Sequence, residues 1–361
     1  VKQHVSIPVG GVVFMDPALA PDYFENALAE GWLDMIYMHR PVANCDAEYA
    51  NKLRENRIDE IRPCCRCLNC LGGLCRVNPC NNSVFTDAMP EGYEVRPADG
   101  DKNVMVIGGG PAGMEAARVA AERGYAVTLY EKNGLGGLLD FAEMVKGKHE
   151  SLGRLRNYLS HMLEVEGVAV VTGQEVDAAF VREQSPDVVI VATGGVRPEL
   201  AAAGSSATPV IGVTDFLASE IGERVAVLGF NAQATDTAHY LIAQGKKVTV
   251  IAPELAEAFG TGQSMMLNAF VKPAFFAAGG RLMPECTLKS VGDGEIVVTN
   301  GFGMDITLAC DCVVDASTMS PNTALADELS GEFDVHVIGD AAEPSSIQNA
   351  ITTGNLTARN C

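Results

Sequence analysis

Short apolar runs alternate with segments whose apolar residues recur every three or four positions, so the chain reads as strand then helix, repeated. The first sixty residues carry the pattern twice. Apolar runs at 5–13 and 33–38 flank a helical segment in which Ala20, Phe24, Ala27 and Leu28 share a face, and another helix covers 47–55. Two strands cannot close a sheet or cover both its faces. Residues 1–62 are therefore expected to be the end of a larger domain, or to pack on something else. A cysteine-rich segment and a polar connector with Pro and Gly make up residues 63–100.

From 104 onward the pattern is that of a parallel α/β domain. A buried strand at 104–107 leads through a glycine turn into an Ala-rich helix over 114–123, then Gly124 as a stop and a strand at 126–130. A helix over 149–166 and strands at 168–171 and 188–192 follow. The pattern restarts at Arg224, with a strand at 225–228, a turn at 229–234, a helix over 235–244, Gly245 as a stop and a strand at 247–251. Short β-like runs fill 280–316, and a strand and helix over 335–340 and 347–359 close the chain. This order predicts one dinucleotide-type domain over 101–205 and 325–361, with a second, 206–324, inserted in it.

Composition narrows the function. With 26 Lys and Arg against 46 Asp and Glu the net charge is −20, which disfavours phosphate backbones and anionic lipid as partners. No apolar run is long enough to span a membrane and the first residues do not read as a signal peptide, so the expected compartment is the cytoplasm. The chain opens on Val1, so its natural start is expected elsewhere. Of eleven cysteines, six (Cys64, Cys65, Cys67, Cys70, Cys75 and Cys80) are packed together, unlike a disulfide framework spread over a small secreted domain.

Gly108-x-Gly110-x-x-Gly113 stands between a strand and a helix, with Glu131 eighteen residues after the third glycine. Gly108 allows the tight turn, Gly110 lets backbone approach a pyrophosphate, and Gly113 lets helix and strand pack closely. The helix N-terminus offers N–H groups to phosphates, and Glu131 can accept from a ribose hydroxyl. The bland alternative is a glycine turn without a ligand. Thr193-Gly194-Gly195 after a strand and Gly339-Asp340 near the end favour FAD as the nucleotide. In the cysteine segment, Cys64-x-x-Cys67-x-x-Cys70 with Cys75 beyond offers four thiolates on one short loop, a spacing suited to an iron–sulfur cluster. Zinc and unliganded thiols are the alternatives, and Cys65 and Cys80 are the expected spares.

Taken in order, Arg62-Pro63-Cys64…Cys75-Arg76-Val77-Asn78-Pro79, the glycine turn, Thr193-Gly194 and Gly339-Asp340 resemble the iron–sulfur flavoprotein branch of the Old Yellow Enzyme family. That branch includes 2,4-dienoyl-CoA reductase, enoate reductases and trimethylamine dehydrogenase. The resemblance spans this chain but only the C-terminal part of such a protein. It implies the tail of a (β/α)8 barrel, an iron–sulfur loop and two nested Rossmann-like domains. It further implies an oxidoreductase in which electrons pass from NAD(P)H to FAD, to a [4Fe–4S] cluster, to FMN and to an activated C=C bond of a small-molecule substrate. By the same resemblance Cys64, Cys67, Cys70 and Cys75 hold the cluster. Gly108, Gly110, Ala112, Gly113, Glu131, Lys132, Gly137, Thr193, Gly194, Gly339 and Asp340 line FAD. Arg40 falls where the family places an arginine near the FMN phosphate; an ordinary surface arginine is the alternative.

Three departures from the pattern bear on function. The first six barrel strands are absent, so the missing N-terminal barrel portion or a separate subunit carrying it is the expected partner, in an oligomer. The segment 8–16 lacks the family's basic residue, and His39 stands where a small residue is usual. In the inserted unit, Gly229-Phe230-Asn231-Ala232-Gln233-Ala234 keeps only the first glycine, and Ala252 replaces the ribose-reading acid, which weakens the expectation of NAD(P)H there. An amine-dehydrogenase-like protein passing electrons to an external carrier, and a non-catalytic scaffold, are the competing readings.

Overall fold

A computed structural model describes residues 1–12, 16–81, 92, 94–147, 150–200 and 207–361, with only the backbone of Met265 and Met266. Parts of the segments read above as 5–13, 8–16, 63–100, 101–205, 149–166 and 206–324 lie outside the described residues.

The N-terminal part contains β1 (Gly10–Val12), α1 (Pro21–Ala29), β2 (Met35–Tyr37) and α2 (Tyr49–Arg54). β1 and β2 pair in parallel, Gly10 opposite Met35 and Val12 opposite Tyr37. Among the described residues both strands are shorter than the apolar runs that predict them. Val5, Ile7, Val12, Met35 and Tyr37 are exposed, Val12 to 73%, where apolar parallel strands ordinarily lie buried on both faces. A separate small core forms beneath them around Ala18, Tyr49 and Ile61.

The glycine-turn unit follows: β3 (Asn103–Ile107), α3 (Pro111–Glu122), β4 (Ala126–Glu131), α4 (Leu139–Lys146), α5 (Leu152–Val165), β5 (Ala169–Thr172), α6 (Ala178–Gln184) and β6 (Val188–Val191). The second unit contains β7 (Val210–Gly212), β8 (Arg224–Leu228), α7 (Ala232–Ala243), β9 (Lys247–Ile251), α8 (Met265–Ala277) and β10 (Arg281–Met283). It continues through β11 (Cys286–Val291), β12 (Glu295–Asn300), β13 (Asp305–Ala309) and β14 (Cys312–Asp315). The chain then returns as α9 (Ala324–Leu329), β15 (Asp334–Val337) and α10 (Ile347–Asn360).

Two parallel five-stranded sheets result, ordered β15-β6-β3-β4-β5 and β10-β9-β8-β14-β7, with an antiparallel sheet β11-β12-β13 beside the second. The central strands β6 and β14 are buried throughout. The outer sheet needs β15 from beyond the insertion, so the second unit interrupts the first. The chain leaves at Val196 and returns at Ser320, and those residues exchange backbone hydrogen bonds of 3.0 and 2.7 Å. This is a mixed α/β architecture with two nested Rossmann-like units.

Candidate functional site

The turn from β3 into α3 is built by contacts that only glycine permits. Gly108 has φ +113°, and a Cβ there would run into the Ala192 carbonyl oxygen at the end of β6. A Cβ at Gly113 would overlap the Gly108 carbonyl oxygen. Gly110, the N-cap of α3, is different: a Cβ added to it meets nothing within 4 Å, and no side chain caps the helix. The first turn of a twelve-residue helix therefore opens onto free space with its N–H groups unclaimed by any side chain, which is the geometry that takes an anionic group.

Of the other residues expected at a dinucleotide, Glu131, Gly137 and Gly339 meet this turn directly. Glu131, at the end of β4, accepts from the Gly109 N–H at 2.6 Å and the Asn133 N–H at 2.8 Å. A Cβ at Gly137 would lie 3.1 Å from the Gly110 Cα, and one at Gly339 would lie 2.7 Å from the Ala112 Cβ. Thr193 follows Ala192, and its hydroxyl accepts from Asn322 at 3.2 Å. Gly194 is left-handed at φ +76°. Asp340 accepts the Ser345 N–H at 3.0 Å, and burial nevertheless raises its carboxyl above the usual value. Lys132 is exposed.

The second unit repeats the backbone but not the opening. Gly229 has φ +107°, and a Cβ there would lie 2.5 Å from the Ala316 carbonyl oxygen, as Gly108 lies under Ala192. At the N-cap, however, Asn231 accepts from the Ala234 N–H at 3.0 Å and donates to the Ala316 oxygen at 2.8 Å. The helix supplies its own acceptor where the first unit leaves a vacancy. Arg197 donates to Gln233 and to the Ser317 carbonyl beside it, and Ala252 is buried.

Cys64, Cys67, Cys70 and Cys75 line one small cavity, with Arg40, Cys45, Cys65 and Arg76 also in its wall. These six cysteines are free thiols. The loop is wound by Arg66 and Leu68, both left-handed at φ +54° and +60°, a conformation that non-glycine residues keep only where the surroundings fix it. The winding turns backbone N–H groups inward. Arg66 donates to Cys64, Asn69 to Cys67, and Val77 and Asn78 to Cys75. The Cys64 thiol falls to about 6, first through the neighbouring Cys45 thiol and then through the Arg66 N–H, with burial opposing. Cys75 falls to about 7, again first through Cys45. Burial raises Cys67 and Cys70. Among the described residues no three His, Cys, Asp or Glu side chains gather around one metal ion; the thiols surround a cavity instead. That donor set, four soft sulfurs with N–H groups aimed at three of them, fits an iron–sulfur cluster.

Of the two spares, Cys65 lines the cavity and is raised well above the usual thiol value by burial. Cys80 lies outside that wall, 3.5 Å from an Arg359 N–H. Cys45 is the residue the sequence reading missed. It stands nineteen positions before Cys64 and outside any spacing motif, so the only signal was its place after the second N-terminal strand.

Two buried charge networks hold this loop. Arg62 pairs with Glu115 of α3 at 3.0 Å, and Glu115 also takes Arg118 at 3.1 Å and Asn355 of α10 at 2.8 Å. Burial alone would raise Glu115, but Arg118 and Arg62 outweigh it and hold the carboxyl at about 2. On the other side, Arg76 pairs with Glu150, which meets Lys146 at 3.3 Å; Lys146 reaches Asp236 of α7 at 2.8 Å. The cysteine loop is thereby tied to both nucleotide-type helices.

Residues 102–354 match the family described as pyridine nucleotide-disulphide oxidoreductase. An NADH oxidase from Thermoanaerobacter brockii is 33% identical over 98% of this chain and 55% of that protein. A bilirubin reductase from Mediterraneibacter gnavus is 30% identical over 99% of this chain and 56% of that protein. Among solved structures, a 2-naphthoyl-CoA reductase complex superposes on the whole chain with TM-score 0.85 at 28% identity, covering 55% of that protein. The chain thus spans about half the length of these relatives. No helix among the described residues is long and apolar enough to cross a membrane. With its glycine turn, nested sheets and matched span, the chain belongs to the pyridine nucleotide-disulphide oxidoreductase family, the FAD-dependent region of flavoproteins related to ene-reductases and amine dehydrogenases.

Proposed function

We propose that this chain is the FAD- and iron–sulfur-bearing part of an ene-reductase-type oxidoreductase whose FMN barrel is completed by sequence outside it. The observation that carries the reading is the joint between the cysteine cavity and α3. Arg62 and Glu115 lock the four-thiol loop onto the helix whose bare N-terminus is the nucleotide cradle. Relatives described as cinnamate reductase and bilirubin reductase, and the 2-naphthoyl-CoA reductase structure, support the reductive direction.

Each residue then has a task of its own. The α3 N-terminus binds a pyrophosphate, Glu131 orients a ribose, and Gly339-Asp340 lies against the first turn of α3. Cys64, Cys67, Cys70 and Cys75 would hold a [4Fe–4S] cluster, which when bound supplies one-electron transfer beside the two-electron chemistry of FAD. Residues 1–62 supply the last two strands of a barrel, with apolar faces that this chain leaves exposed. Arg40 lies at the end of that part nearest the cysteines and suits an FMN phosphate at the junction. The self-capped Asn231 favours a second reading, in which electrons enter from an amine-type substrate rather than from NAD(P)H; a dimethylamine dehydrogenase from Hyphomicrobium is 25% identical over 99% of this chain.

The visible spectrum of anaerobically purified protein, with flavin released by acid and iron assayed, tests the proposal. FAD together with a broad band near about 400 nm is expected. Cys67→Ser should remove that band, and Cys310→Ser, outside the cavity wall, should leave it. Stoichiometric zinc without iron would overturn the cluster.

A further inference from the structure

Cys45 is buried at 3% exposure in the wall of the four-thiol cavity, and it is contributed by a different part of the chain from the cysteine loop. It closes the wide turn Arg40–Cys45 that follows β2. The loop fixes this turn in place: Asn78 donates to the Asn44 carbonyl at 3.0 Å and Asn81 to the Ala43 carbonyl at 3.1 Å. Asp46, the next residue, accepts the Arg62 N–H at 2.8 Å. The Cys45 sulfur is thereby held 4.0 Å from the Cys75 sulfur and shares the cavity wall with Cys64.

We propose that Cys45 is a positioning residue that donates its one S–H to the ligand sulfur of Cys75, which as a bound thiolate has no proton to give, and raises the reduction potential of the cluster held there. This rests on the cluster reading above. At 4.0 Å from the Cys75 sulfur, Cys45 stands in hydrogen-bond contact with a ligand and serves as donor rather than as replacement. One-electron reduction adds a negative charge that is shared by the thiolates. A donor aimed at them stabilises the reduced state more than the oxidised one. Backbone N–H groups of Val77 and Asn78 already serve Cys75, and Cys45 adds a side-chain donor from a different part of the chain. The same turn carries Arg40 into the cavity wall, so the donor sits on the side of the cysteines that faces β2 and the N-terminal part.

The test is an anaerobic potentiometric titration of the full chain, followed by electron paramagnetic resonance, with iron and sulfide assayed on each sample. Cys45→Ala should keep wild-type iron and sulfide. Its ratio of reduced to oxidised cluster at the wild-type midpoint should fall about tenfold, a shift of 59 mV for a one-electron centre. Cys45→Ser, which keeps a donor of similar size, should fold normally and recover part of that shift. Loss of about a quarter or more of the iron in both variants would make Cys45 a ligand and overturn the proposal. Full iron with an unchanged midpoint would overturn it too, while leaving the cluster reading intact. Wild-type protein without iron would instead remove the cluster reading and this inference together.

Discussion

The two nucleotide units of this chain share a skeleton and differ at its mouth. In both, a five-residue strand runs into a glycine with φ above +100°, packed under a carbonyl of the neighbouring central strand's end, and then into a twelve-residue helix. Both glycines donate to the following strand at the same 2.8 Å, Gly108 to Tyr130 and Gly229 to Ile251. What differs is the helix start: a bare Gly110 in one, an Asn231 that caps itself in the other. The acid at the next strand end also differs, Glu131 against Ala252. The first glycine thus serves the fold, because chain crosses chain there, and both units keep it; the second serves a ligand and gives way to Asn231, while Ala234 stands in place of the third.

The largest effect should come from the acids two residues past the third motif position, Glu115 and Asp236. Both are buried, but their environments push in opposite directions. Arg118 and Arg62 hold Glu115 down at about 2, whereas burial keeps Asp236 above the usual carboxylate value despite Lys146. Glu115→Ala strands two buried guanidinium groups and should cost about 3–5 kcal/mol in urea denaturation at neutral pH. Asp236→Asn should cost about 1 kcal/mol or less. Their pH dependence should separate them further. Glu115 contributes stability that is complete above the unfolded carboxylate range and lost as pH falls toward 2. The folded state favours protonated Asp236, so its ionisation removes stability as pH rises through and above the unfolded carboxylate range. Equal losses in the two variants, with parallel pH profiles, would erase the contrast.

A smaller effect is expected at the shared glycine. Gly108→Ala and Gly229→Ala should each destabilise by about 1–3 kcal/mol, since both put a Cβ on a carbonyl oxygen in left-handed backbone. Flavin content should part them: Gly108→Ala loses FAD, and Gly229→Ala retains it. The smallest change in stability is at the cap. Asn231→Gly should cost only about a few tenths of a kcal/mol. In stopped-flow mixing, wild-type flavin should be reduced by NADH and NADPH at less than about 10 per second, a modest enzyme rate, while dithionite reduces it fully. Faster reduction by either nucleotide would show that Asn231 yields its place to a pyrophosphate.

These contrasts also show which features could be read from sequence. The β3–α3 turn was legible because its requirements are local: glycine, helix start and strand end follow one another, and Gly108, Gly110, Gly113 and Glu131 meet as their spacing implies. The order of the nested units was legible from the restart at Arg224. Partnerships across long separations were not. Glu115 sits mid-helix in an Ala-rich run, and nothing near it announces Arg62, 53 positions away. Cys45 was hidden in the same way, because a spacing motif measures distance along the chain while the cavity joins the loop to the turn after β2. The apolar runs at 5–13 and 33–38 predicted longer strands than form. Each holds only three paired residues, since β1 and β2 have only one another as described partners.

The bridge between Val196 and Ser320 has a consequence for how such a chain can be rearranged. Everything between those residues leaves and re-enters through a single hydrogen-bonded point, while β6 and β15 on either side already lie next to each other in the outer sheet. The inner unit is therefore a cassette. Its removal and replacement by a short turn would leave every strand of the outer sheet in place, and a different module could be spliced into the same doorway without re-threading the flavin-type fold around it.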